Sequence, residues 1–232
     1  DKAQKVVYVR KSDFAELCAL ELLCALARLK RDGMKGFILD LRFNPGGLLT
    51  SARDISDLFI DDGLIVEIRP RGRRPYRIPG RSAGSLTDFP MVVLVNEYSA
   101  SASEIVSACL QDYGRALIVG ERSYGKGSVQ NIRELDGGQL KMTTATFWRP
   151  SGKNLNKSST GGKDNEEWGV TPNKGYLIKL TRKEREDLAE HQRNSEIIQR
   201  KDRPMKKSDF KDRQLEAGLK YLRQQGSSTR RQ

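Results

Sequence analysis

The sequence predicts an α/β fold built on a largely parallel sheet. Two nearly continuous apolar runs, residues 36–42 (GFILDLR) and 91–96 (MVVLVN), have the composition that strands buried on both faces require. Strand-like and helix-like segments alternate up to Gly120, the order that βαβ units produce. A third run, residues 116–120 (ALIVG), fits the same layer.

Residues 5–9 (KVVYV) read as a short first strand, and Leu17, Leu20, Leu23, Leu26 and Leu29 recur at helical spacing across residues 14–30. The run at 36–42 stops at Asn44-Pro45-Gly46-Gly47, a strong breaker cluster. Helical spacing resumes through Ile55, Leu58 and Phe59, and residues 64–68 read as strand. MVVLVN feeds directly into NEYSASASEIVSACLQDYGRALIVGERSYGKGSVQ, residues 96–130. There a helix is predicted over 102–113, with Ile105, Val106, Cys109, Leu110 and Tyr113 on one face and Gly114 as its stop. Residues 126–135 and 139–148 are expected to pair as a hairpin around Asp136-Gly137-Gly138. A polar loop over 151–165, a charged helix over 182–200, a second helix around 214–225 and a disordered SSTRRQ end complete the chain. The expected organisation is a core over residues 1–180 and a charged helical extension over 181–232.

The 232 residues, 37% of them hydrophobic, can supply one ordinary core. No run approaches the ~18 apolar residues of a membrane span, and the first residues lack a signal-peptide pattern. Because the chain opens almost directly into a strand, it reads as an excised piece of a longer precursor. The net charge is +12, and residues 181–232, with 15 Lys/Arg against 9 Asp/Glu, carry half of it. The other basic patch is Arg69, Arg71, Arg73, Arg74, Arg77 and Arg81 among prolines and glycines. Tyr76 is the only aromatic there, so no nucleic-acid partner is expected. A solvated hairpin or loop is the first reading of this patch, and an anionic-ligand or membrane-surface contact the second. Cys18, Cys24 and Cys109 lie in apolar helical patterns without metal-ligand spacing, which predicts buried free thiols and no metal or cofactor.

The only histidine, His191, sits in a charged helical run, so a Ser-His-Asp triad is close to excluded. A lysine can serve as base when burial lowers its pKa, and Lys126 stands between Gly125 and Gly127 just past a buried strand. Ser101 begins a capping box with Glu104, and the start of a helix also points backbone N–H groups at any developing anion. Cap and nucleophile therefore look alike here. Gly46 and Gly47 fit a second source of such N–H groups. A rival pattern, G-x-x-x-x-G-K over residues 120–126, resembles a phosphate loop, with Asp40 as its magnesium ligand. Against it, Gly127 replaces the required hydroxyl and the following SVQNIREL alternates like a strand.

GFILDLRFNPGG together with residues 96–130 resembles the core of the C-terminal processing peptidases, also called tail-specific proteases. The Asn-Pro-Gly-Gly loop, the Ser-Ala-Ser-Ala-Ser-Glu helix start, the Gln-Asp-Tyr-Gly-Arg end and the Gly-Lys-Gly loop occur in family order over about residues 6–180. DRQLEAGLKYL, residues 212–222, resembles the family's last helix. The resemblance implies a crotonase-like (ClpP/crotonase-type) core with a helical tail, and a serine endopeptidase that cuts proteins near their C-termini. It makes Ser101 the nucleophile, Lys126 the general base and Gln130 the group that orients the lysine. The amides of Gly47 and Ala102 become the oxyanion hole, and Asp112 takes a supporting role, because eleven residues of helix put it about 16 Å along the axis from Ser101. Implied partners are protein or peptide substrates with accessible C-termini, in an extracytoplasmic setting, and an oligomer is compatible with the pattern. Members commonly carry a PDZ domain ahead of this core, and none precedes Val6 here, so the chain reads as a fragment or as a constitutively ungated enzyme. A catalytically inert binder of peptide tails, using the same groove, is the runner-up.

Overall fold

The structure is a computed structural model that describes residues 5–81, 84–163, 165–196 and 210–228. In chain order its first half comprises β1 (Val6–Arg10), α1 (Cys18–Arg31), β2 (Gly36–Asp40), α2 (Leu49–Asp57), β3 (Leu64–Pro70) and β4 (Tyr76–Pro79). There follow β5 (Met91–Val95), α3 (Ala102–Asp112), β6 (Leu117–Gly120), β7 (Ser128–Leu135), β8 (Gly138–Trp148), α4 (Arg182–Glu196) and α5 (Arg213–Ser228).

The expected parallel sheet is present, in the order β1-β2-β5-β6. Each of its central strands, β2 and β5, is buried at all five positions. That is why both read as unbroken apolar runs: alternate residues enter two different cores. Phe37, Leu39, Met91, Val93 and Ile118 face α1, α2 and α3, whereas Ile38, Val92, Leu94 and Val119 face Leu222 and its neighbours on α5. The second face of the sheet is thus covered from the C-terminal segment, which sequence alone sets apart as an extension. A second, antiparallel sheet, β4-β3-β8-β7, adds Ile65, Val66, Ile68, Ala145 and Phe147 to the first core.

The arginine-rich segment forms the β3–β4 hairpin rather than an unstructured loop. Glu67 accepts hydrogen bonds from Arg69 (2.5 Å) and Arg77 (2.9 Å), and Arg69 also stacks 3.7 Å over the Trp148 ring. Arg71, Arg73, Arg74 and Arg81 stay exposed. Cys18 and Cys109 are buried as expected, but Cys24 is exposed, because the helix turns that position outward. Burial, with Asp112 next in effect, pushes the Cys109 thiol up to about 12. Among the described residues no helix is long and apolar enough to cross a membrane. Residues 197–200 of the expected charged helix and 229–232 of the expected disordered end lie outside the described residues.

Just past the C-terminal end of β2, Arg42 is 1% exposed and lies between two carboxylates. It donates to Asp40 (2.6 Å) and Asp212 (2.7 Å), and to the Gln214 amide oxygen at 3.0 Å. Tyr8 and Gln192 also donate to Asp40. Burial alone works against the Arg42 charge, but Asp40 and Asp212 outweigh it and raise its pKa. This cluster pins the start of α5 to the strand that leads into the Asn-Pro-Gly-Gly loop.

A second tie joins α4 to α5. Glu184 accepts the Thr181 amide at 2.7 Å and Nε and Nη2 of Arg213 at 2.8 and 2.9 Å. The Arg213 hydrogen bonds, followed by Thr181, hold the Glu184 carboxyl down at about 2. A lowered folded pKa contributes stability above the ordinary 4.5, and that contribution is lost as pH falls towards 2. The stability advantage of the wild type over Arg213→Gln is therefore expected to shrink between pH 5 and pH 2.5. Denaturant titrations of both proteins across that range check this, and a constant difference contradicts it.

Candidate active site

The turn between β5 and α3, with the first turn of that helix, carries three serines, and their environments separate them. The Ser99 hydroxyl donates to the Leu41 carbonyl (2.8 Å) and the Ser103 hydroxyl to the Asn44 carbonyl (3.0 Å); both side chains are fully buried. Ser101 is half-buried and has φ +56°, ψ −113°. Only two other non-glycine residues among those described, Lys5 and Phe43, have positive φ. A serine held there costs on the order of 1–3 kcal/mol, which the surrounding contacts must overcome.

Those contacts come from two sides. Asn44 receives the Ala100 amide on its carbonyl at 3.0 Å, and its side chain bridges the Lys11 carbonyl (2.7 Å) and the Gly46 amide (2.8 Å). Gly46, at φ +103°, lies so close to the serine turn that a Cβ there would sit 2.7 Å from the Ala100 oxygen and 2.8 Å from the Ser101 Cβ. Two expectations separate here. The Gly46 amide is consumed by Asn44, so it is not a free donor. Gly47 is exposed, with φ +150°, and Ala102 is the first residue of α3, where a helix amide has no partner of its own.

Glu104 holds the other side. Its buried carboxylate accepts four hydrogen bonds: the Ser101 amide at 2.8 Å, the Ser123 hydroxyl at 2.5 Å, and the Gly125 and Lys126 amides at 2.6 and 2.8 Å. Burial raises its pKa, while the four donors pull the other way. The Ser101 and Lys126 amides share one oxygen, Oε2, so the serine turn and the lysine loop run side by side. The capping-box relation to Ser101 is present, but that local pattern accounts for only part of what Glu104 does. Sequence reasoning missed the rest: the S-x-x-E spacing marks Glu104, yet nothing local shows that a loop twenty residues on closes over it.

Lys126 is exposed in this structure, so the desolvation expected of a lysine base is absent. Gln130 is exposed too, and its amide donates to Thr143 Oγ1 (2.6 Å) and Ser128 Oγ (3.2 Å) rather than to the lysine. Asp112 accepts Arg149 at 2.6 and 3.0 Å and the Ser151 amide at 3.0 Å, so it fastens α3 to the end of β8. His191 is exposed beside Phe210, their ring centroids 6.1 Å apart. The phosphate-loop alternative fails on two counts. Residues after Gly127 form strand β7 instead of a helix, and Asp40 is spent on Arg42.

A family model described as Peptidase family S41 matches residues 5–174. With the serine turn, the glycine loop and the lysine loop assembled on a parallel sheet, the chain belongs to that family. A carboxy-terminal-processing protease of Bartonella bacilliformis is 44% identical over 154 residues, which are 64% of this chain and 36% of that protein. A carboxyl-terminal-processing protease of a Picosynechococcus species is 41% identical over 157 residues, 66% and 37% of the two chains. The match thus spans a little over a third of the length of these curated relatives. Among solved structures, a photosystem II D1 C-terminal processing protease superposes with TM-score 0.64 at 32% identity, over 75% of this chain and 42% of that one. A peptidase structure from Parabacteroides merdae gives TM-score 0.66 at 18% identity, over 94% and 61%, a likeness of fold alone.

Proposed function

We propose that this chain carries the catalytic core of a serine endopeptidase, crotonase-like in fold, that cuts proteins near their C-termini through a Ser101/Lys126 dyad. The observation that carries the reading is the shared acceptor: the amides of Ser101 and Lys126 meet on one oxygen of buried Glu104. Neutral Lys126 takes the Ser101 proton as the serine oxygen attacks a peptide carbonyl carbon. The oxyanion is held by the Gly47 and Ala102 amides, each worth on the order of 3 kcal/mol in the transition state. The intermediate collapses, the C–N bond breaks and the lysine proton passes to the leaving amine. Water, deprotonated in turn by Lys126, then cleaves the ester and restores the serine.

Because Lys126 is exposed, bound substrate must supply the desolvation the base needs. Gln130 reaches the lysine in this scheme only after leaving Thr143. Asp112 supports the site from a distance, through Arg149. The family resemblance supports an extracytoplasmic setting.

The exposed lysine also favours a second reading, in which the groove holds peptide tails without turnover. Incubation with an unstructured protein, with the products mapped by mass spectrometry, separates the two. Internal cleavage towards the C-terminal end is expected; binding with no product favours the inert groove.

The glycine loop gives its own prediction. Gly46→Ala forces a Cβ against the Ala100 oxygen and Ser101 and is expected to lower kcat/KM by about 10²-fold, the scale of a 1 Å misplacement. Steady-state kinetics on an unstructured peptide checks it, and near-wild-type turnover contradicts the packing argument.

A further inference from the structure

A cleft of about 1230 Å³ opens beside Lys126, with walls from the Lys126 loop, residues 156–162, Trp168 and the stretch before α4. It exceeds the roughly 300–1,000 Å³ typical of small-molecule sites, so it has room for a peptide segment. Its charge is unevenly spent. Arg185 is answered by Glu97 at 3.0 Å and Glu121 at 3.4 Å. Arg122 lies 3.6 Å over the Trp168 ring and donates to the Trp168 carbonyl. Lys157 and Lys179 also line the cleft. Both are exposed, and among the described residues no carboxylate lies within ion-pair distance of either ammonium. The Lys157 ammonium sits 4.4 Å from the Trp168 ring centroid, a cation–π contact that holds it against the wall.

The direction of the chemistry says which part of a substrate lies there. In acylation the lysine returns its proton to the departing nitrogen, so the leaving segment must emerge on the lysine side of Ser101. For a bond cut near a C-terminus, that segment ends in a carboxylate a few residues away. Lysines gathered in one cleft focus a positive potential that attracts such a group.

We infer that this cleft recognises the leaving segment by a carboxylate, terminal or side-chain, held by Lys157 and Lys179. The inference rests on the Ser101/Lys126 reading for its direction. It does not need turnover for its test.

The test uses three peptides of one sequence: a free acid, its C-terminal amide, and an amide with glutamate at the penultimate position. Cleavage is followed with the wild type, and binding by fluorescence anisotropy with Ser101→Ala. The free acid is expected to be favoured over the plain amide by about 10-fold at low salt, the scale of one charge-assisted hydrogen bond. The preference should weaken as salt rises. In Lys157→Gln/Lys179→Gln it should fall to about two-fold or less, and the double arginine variant should restore it. Recovery by the glutamate peptide assigns the recognition to any nearby carboxylate, and no recovery assigns it to the terminus. Equal treatment of acid and amide by the wild type, or a preference that survives in the double glutamine variant, overturns the inference. If nothing is cut yet the binding preference holds, the proteolytic reading fails and the cleft stands. If both peptides are cut equally, the cleft fails and the proteolytic reading stands.

Discussion

Ser101→Ala is expected to reduce cleavage of an unstructured peptide by at least about 10⁴-fold, with Lys126→Ala losing a comparable factor. Residues that act as one unit each remove most of the rate when deleted singly, so the double variant should be little worse than either alone. The fold should survive both changes. Lys126 is exposed, and a surface substitution there usually shifts stability by no more than about 0.5 kcal/mol. Ser101 caps α3, and its replacement by alanine costs about 1 kcal/mol, well short of a domain's roughly 5–15 kcal/mol. Steady-state kinetics beside thermal melts of the wild type and the three variants makes the comparison. Substantial turnover in either single variant, with the melting temperature unchanged, rejects the dyad.

The second large effect is expected at Glu104. Glu104→Gln keeps the shape but replaces one carboxylate oxygen with an NH₂ group, which faces donors in place of an acceptor. Four hydrogen bonds converge on that carboxylate. Losing acceptors for two of them costs about 2–4 kcal/mol, at roughly 1–2 kcal/mol per buried donor left unpaired. The serine turn and the lysine loop would then lose their common anchor, and kcat/KM should fall by about 10²-fold. Denaturant unfolding and kinetics read the two effects separately. A variant that is destabilised yet fully active would show that Glu104 holds the fold but not the alignment.

Much of the parallel sheet was legible because its signals are local. GFILD and MVVLV admit few readings other than buried strands, and Gly33 and Gly114, both at positive φ, stand just past the ends of α1 and α3. The partner of the sheet's other face was not legible. Leu222 and its neighbours on α5 read as part of a charged extension, since a helix's apolar stripe does not say which surface it will cover. The arginine segment was open between hairpin and loop, and Glu67, which draws Arg69 and Arg77 together, lies outside the patch itself.

The site divides in the same way. Ser101 and Lys126 could be named because family order places both, yet composition left each with a bland alternative. What separates Ser101 from Ser99 and Ser103 is three-dimensional: two hydroxyls are committed to carbonyls and one residue is held at positive φ. The four-fold use of Glu104 and the consumption of the Gly46 amide by Asn44 depend on contacts that no spacing rule encodes. The exposure of Lys126 departs from the expected desolvation for a related reason, since flanking glycines and a preceding buried strand do not say which side chains will surround a lysine.

The most direct test of the Ser101/Lys126 site is covalent labelling with a fluorophosphonate, which transfers its phosphonyl group to an activated serine with loss of fluoride. Peptide mapping by mass spectrometry should find a single adduct on Ser101, absent from Ser101→Ala and strongly slowed in Lys126→Ala. An adduct on Ser99 or Ser103, or full-rate labelling of Ser101 without Lys126, would contradict it.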